Sequence, residues 1–135
     1  MLFYLIYILY FPAQIDFQQT DPDVAQFIIG KWKWEETQLQ SRGGSSTTTP
    51  ESCACTKTLE IREDGTAILY KDGEVQWESV YEVEKRQLLN DPVRFEFRSH
   101  ELVGTIRIID NERLGIGAFG SCGQIHYYSR IQSPE

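Results

Sequence analysis

From residue 30 onward, apolar and polar positions alternate in short runs separated by Gly, Asp, Asn, Ser and Pro. In the first run Trp32, Trp34 and Glu36 share one face while Lys31, Lys33 and Glu35 share the other, the period of two expected of a half-buried strand. Leu59 and Ile61 alternate with Thr58, Glu60 and Arg62, and Asp64-Gly65 marks a tight turn into a run from Thr66 to Tyr70. Asp72-Gly73 marks the next turn. Val75, Trp77, Ser79, Tyr81 and Val83 then alternate with Gln76, Glu78, Val80 and Glu82, which predicts one long strand with a mainly apolar face. Val93 to Phe97, Leu102 to Ile109, Arg113 to Phe119 and Gln124 to Ile131 complete a set of eight. No helical pattern between them is long enough for a crossover, so hairpins join the strands and the sheet is antiparallel.

The segments outside this pattern are of three kinds. Asp21-Pro22-Asp23 followed by Val24, Phe27 and Ile28 predicts a short helical lead-in over 21–29. Residues 41–50, rich in Gly, Ser and Thr, read as a long polar loop. The first eleven residues are almost wholly apolar, and no Lys or Arg precedes Lys31. Such a run is too short to cross a hydrocarbon core of ~30 Å, which takes ~20 residues, but it matches the apolar stretch of a secretory signal. Residues 1–20 are therefore expected to be a signal-peptide-like leader, 30–131 a single barrel and 132–135 a tail. The expected product is exported, whether periplasmic, in the outer envelope or secreted, with no integral membrane domain in its mature form.

Eight antiparallel strands either stack as a sandwich or close into an up-and-down barrel, and closure removes the exposed edges. The chain ends favour the barrel. With an even number of strands, the start of the first and the finish of the last lie at one end, which sets Trp32 beside Arg130. There the tryptophan can plug the barrel beneath a stacked guanidinium, with Gly30 allowing the tight entry into the strand. The same count brings Cys53 and Cys55 to the opposite rim beside Cys122. A bond between residues two apart on an extended strand would be strained, so Cys122 is expected to bridge to Cys55, with Cys53 the alternative. Cys53, Cys55, Cys122 and His126 number enough for zinc, but their spacing matches no familiar zinc motif, and no metal is assigned.

Several of these stretches together carry a resemblance. They are Ile29-Gly30-Lys31-Trp32, Thr49-Pro50-Glu51-Ser52, the run from Thr58 to Thr66 across the first hairpin, and Tyr127-Tyr128-Ser129-Arg130-Ile131. Over roughly residues 27 to 131 the chain resembles the lipocalin-like domain proteins common among bacteria of the Bacteroidetes group. The resemblance implies an all-β fold, a small eight-stranded antiparallel up-and-down barrel of the lipocalin-like (calycin) kind, exported or envelope-associated and usually without an assigned ligand.

Composition narrows the function further. A net charge of −7 repels a phosphate backbone, so nucleic acid is not an expected partner. His100 and His126 are the only histidines, no Gly-x-Ser-x-Gly elbow occurs, and Gly115-Ile116-Gly117 belongs to a strand, so neither an enzyme nor a cofactor is expected. By its alternation with Ile125 and Tyr127, His126 should face outward. The inward set should offer Trp34, Glu36, Trp77, Tyr81, Phe97 and Tyr127 to a ligand. These residues predict a barrel that binds a small, mostly apolar molecule at the mouth beside residues 40–53. The alternative is a packed barrel acting as a cell-envelope protein-interaction module.

Overall fold

The structure, a computed structural model, describes residues 20–132 apart from 88, 91, 120 and 121. The apolar leader thus lies outside the described residues except for Thr20, which opens a helix. In chain order the elements are α1 Thr20–Phe27, β1 Gly30–Ser41, β2 Gly44–Thr48, α2 Pro50–Cys53, β3 Lys57–Ile61 and β4 Thr66–Lys71. They continue as β5 Glu74–Val80, β6 Glu82–Arg86, β7 Arg94–Ser99, β8 Leu102–Asp110, β9 Arg113–Gly117 and β10 Gly123–Arg130.

Turn chemistry sets most of these boundaries. Between β4 and β5, Asp72 and Gly73 both take positive φ, at 52° and 85°, as a two-residue hairpin turn requires. Between β3 and β4, Asp64 accepts a hydrogen bond from the Thr66 amide at 3.0 Å. α2 begins with a reciprocal cap, in which the Thr49 hydroxyl accepts from the Ser52 amide and the Ser52 hydroxyl accepts from the Thr49 amide. Pro50 follows the cap, where its missing N–H costs nothing.

All the strands pair antiparallel, in the order β5-β4-β3-β1-β10-β9-β8-β7-β6, with β2 attached to the far half of β1. The sheet curls until its two edge strands, β5 and β6, are consecutive in the chain, separated by Tyr81 alone. The long strand expected over 75–83 is therefore two: its first half pairs with β4 and its second half with β7. The Ser99 hydroxyl reaches across this seam to the Val80 carbonyl at 2.8 Å. The other difference from the expected eight strands lies in the polar stretch after β1. Gly44–Thr48 forms a strand because its backbone can pair with an extended β1 while every side chain stays exposed. A run that buries nothing leaves no hydrophobic signal.

Inside the curl, Trp32, Trp34, Leu59, Ile61, Ala67, Phe97, Leu102, Ile106, Leu114, Ile116 and Tyr128 form one core, joined by Val24 and Ile28 from the lead-in. Ile28 is fully buried, a contribution of about 1.5–3 kcal/mol by area. Along β8 and β9 the backbones come very close. A Cβ on Gly104 would sit 2.5 Å from the Gly117 Cα.

The cysteines differ from the expected pairing. Cys53 and Cys55 lie at disulfide distance, with Cα atoms 5.2 Å apart, while Cys122 is free and exposed. The objection to joining residues two apart assumed an extended chain. Here α2 is capped by Ala54, which takes the left-handed conformation at φ 56° and folds the two sulfurs toward each other. Among the described residues no helix is long and apolar enough to cross a membrane, a statement that does not bear on β-strands.

Candidate functional site

One end of the barrel is closed by Arg130. Its guanidinium carbon lies 4.3 Å from the centre of the Trp32 ring and 4.7 Å from that of Phe27. Its nitrogens donate to the Phe27 carbonyl at 2.8 Å and the Ile29 carbonyl at 3.3 Å, while the Trp32 indole donates to the Ile28 carbonyl at 2.9 Å. Gly30, with φ 139°, is what allows the guanidinium in. A Cβ there would lie 3.2 Å from an Arg130 nitrogen.

The other side of the interior holds a cavity of about 330 Å³. Its wall is built from Trp34 and Thr37 of β1, Lys57 of β3, Leu69 of β4, Trp77 of β5, and His126 and Tyr128 of β10. Leu102, Glu101, Gln124 and Thr48 complete it, the last three exposed, so the mouth lies beside the base of the β1–β2 hairpin. That volume falls in the lower part of the range for small-molecule sites, about 300–1,000 Å³.

A bulge at Glu35 decides which side chains reach this cavity. Trp34 pairs with Tyr128, but Glu36 pairs with Tyr127, so β1 carries one residue more than β10 across this step. After the extra residue the facing of β1 inverts. Glu36, expected inside, points outward and accepts a hydrogen bond from Gln38 at 2.9 Å, while Thr37 takes the inward place opposite His126. Glu35, on the outer face, is held by the Ser129 hydroxyl. Tyr127, also expected inside, lies with Glu36 on an outer groove and meets the edge of Phe119.

Of the other expected ligand contacts, Trp34 and Trp77 line the cavity. Tyr81 and Phe97 do not: they stack on each other with ring centres 5.5 Å apart, and the Tyr81 hydroxyl donates to the Arg62 carbonyl at 2.9 Å. His126, expected outside, faces in. Its orientation was legible from Arg130, because an inward Arg130 makes Tyr128, His126 and Gln124 inward by alternation, and the same rule excludes Tyr127. Lys57 and Thr37 gave no such signal, since one begins a strand and the other follows an unmarked bulge.

The polar groups of the wall form a relay. The Trp34 indole can only donate, and it does so to Thr37 Oγ1 at 2.8 Å, while Thr37 Oγ1 lies 2.8 Å from His126 Nδ1. Where Thr37 gives its own proton to Nδ1, the neutral ring carries its proton on Nε2, facing the cavity; the hydroxyl can equally accept from Nδ1–H, so the ring tautomer sets the direction of this bond. Burial first, and the Lys57 charge second, hold His126 below its ordinary value and favour that neutral ring. Lys57 lies with its ammonium 4.6 Å from the Trp34 ring centre, and burial, then Lys71, lowers its pKa as well. Burial pushes the Tyr128 hydroxyl well above the ordinary tyrosine value, so it stays protonated. Among the described residues no group of three or more His, Cys, Asp or Glu could hold a metal ion.

No family model matches the chain, and no curated protein matches it. Among solved structures it is similar to a de novo designed fluorescence-activating β-barrel, with a TM-score of 0.40 and 18% identity, over 81% of this chain and 98% of that one.

Proposed function

We propose that this protein is an exported, lipocalin-like barrel that carries a small, mostly apolar molecule and performs no chemistry on it. The observation that carries the reading is the unfilled interior. Eight to ten strands of this size can be filled by their own side chains, yet here Trp34, Leu69, Trp77, Leu102 and Tyr128 surround about 330 Å³. Aromatic and aliphatic walls with a few fixed polar groups are the usual composition of a site that buries an apolar body and orients one end. The apolar stretch at residues 1–11 supports export.

Titration with 1-aminoanthracene, a neutral apolar reporter, tests this. Saturable energy transfer from tryptophan to the probe is expected, and Leu69→Trp, which fills the cavity, should abolish it. Val75→Trp, on the exposed outside of β5, should not. Absence of saturable binding would leave the second reading, an envelope interaction module. That reading is favoured by β2, which pairs only with β1 among the described strands and keeps every side chain exposed, as an edge that could accept another strand.

A further inference from the structure

Charge inside the cavity is unbalanced. Lys57 is half-buried on its wall, and among the described residues its ammonium contacts the face of Trp34 but no carboxylate. Lys71, opposite it across the β3–β4 ladder, has the same sign. Glu101 is the one carboxylate among the lining residues, and it stands exposed at the rim with an oxygen 3.7 Å from His100 Nε2. Glu36, which could have neutralised the interior, is turned outside by the bulge.

A cation on an aromatic face keeps ammonium protons free for an acceptor, and a half-buried one gains more from an ionised partner than it would in water. Close by, the Thr37 hydroxyl engages His126 Nδ1, and Nε2 has no partner among the described residues, so in the tautomer with its proton on Nε2 the ring offers a second donor beside Lys57. Tyr128 adds a hydroxyl, 4% exposed as a residue and likewise without a partner among them. The inner wall therefore holds a cation, Lys57, with no carboxylate partner among the described residues, beside groups able to donate to an acceptor placed between them.

Resting on the carrier reading above, we infer that the molecule held in this cavity is an aromatic or otherwise flat apolar acid, with its carboxylate between Lys57 Nζ and His126 Nε2 and its body against Trp34, Trp77 and Tyr128. The overall charge of −7 does not oppose this, because exposed charges farther away than about 8 Å are largely screened at physiological ionic strength, whereas the Lys57 contact is sheltered.

The test uses a matched pair of probes, 2-naphthoate and 2-naphthamide, which differ in charge and hardly in shape. Quenching of tryptophan fluorescence and calorimetry at pH 7.5 should give the acid at least about a tenfold lower Kd than the amide. In Lys57→Met the two Kd values should converge to within about threefold, and Lys57→Gln, which keeps a polar end, should give the same convergence if the methionine variant does not fold. Equal binding of acid and amide to the native protein, or a preference for the acid that survives both substitutions, would overturn the acidic-ligand inference while leaving the carrier standing. Binding of neither probe, together with failure of the neutral reporter, would overturn both.

Discussion

Arg130 shows how much one side chain can organise. It covers two aromatic rings and ties two carbonyls of the lead-in to the end of the last strand. Arg130→Ala removes charge-assisted hydrogen bonds and cation–π contact together, so urea unfolding should show a loss of about 2–4 kcal/mol. Arg113→Ala should leave the midpoint almost unchanged, because its pair with Asp110 sits in water. His126 makes a different kind of statement. Its folded pKa lies below the ordinary 6.5, so as pH falls through about 6.5 the unfolded chain takes up a proton that the folded one refuses. Its contribution to stability is therefore complete above that pH and declines below it. The urea midpoint should drop between pH 7 and pH 5, and the drop should be smaller in His126→Gln. Equal drops in the two proteins would show that the ring is not held neutral.

At the scale of elements, what matters is how closely two strands approach and where one slips past another. Gly104 lets β8 approach the β9 backbone at Gly117, and Gly117 in turn lets β9 approach the β10 backbone at Gln124 and Ile125. Gly104→Ala places a Cβ on backbone that cannot rotate away, and thermal unfolding should register a cost of about 1–3 kcal/mol or more. Gly43→Ala, in the β1–β2 turn with nothing within 4 Å of the added atom, should stay within about 0.5 kcal/mol of the native protein. The slip at Glu35 is the other element-scale event. One inserted residue exchanges Glu36 for Thr37 on the inner face, and with it an acidic cavity wall for a hydrogen-bonded one.

For the molecule as a whole, the seam between β5 and β6 is the place where the curl is completed. No ladder joins these two strands, so the chain itself, the Tyr81–Phe97 stack and the bond from Ser99 to Val80 hold the edges together. Ser99 is 2% exposed, and Ser99→Ala should lower stability by about 1 kcal/mol and speed amide exchange in β6. Ser79→Ala, whose half-buried side chain meets the same carbonyl at 3.2 Å in a solvent-exposed hydrogen bond, should change neither. Equal effects from the two would mean that the seam does not depend on its buried link.

Alternation and turn residues were enough to find β1, β3, β4 and β7 to β10, because a half-buried strand must write its period of two into the sequence and a two-residue hairpin must supply residues that accept positive φ. Chain order was enough to bring Trp32 to Arg130, since an even number of hairpin-linked strands returns the end of the chain to its start. Those are local or topological constraints. The bulge at Glu35, the pairing of Gly44–Thr48 with β1, the break at Tyr81 and the joining of Cys53 to Cys55 were not legible in the same way. Each depends on what a neighbouring strand or turn does to the backbone, not on the apolar pattern of the segment itself. The cavity belongs with them: which of Glu36 or Thr37 faces inward is set by one extra residue against β10, and only the folded sheet decides where that residue is absorbed.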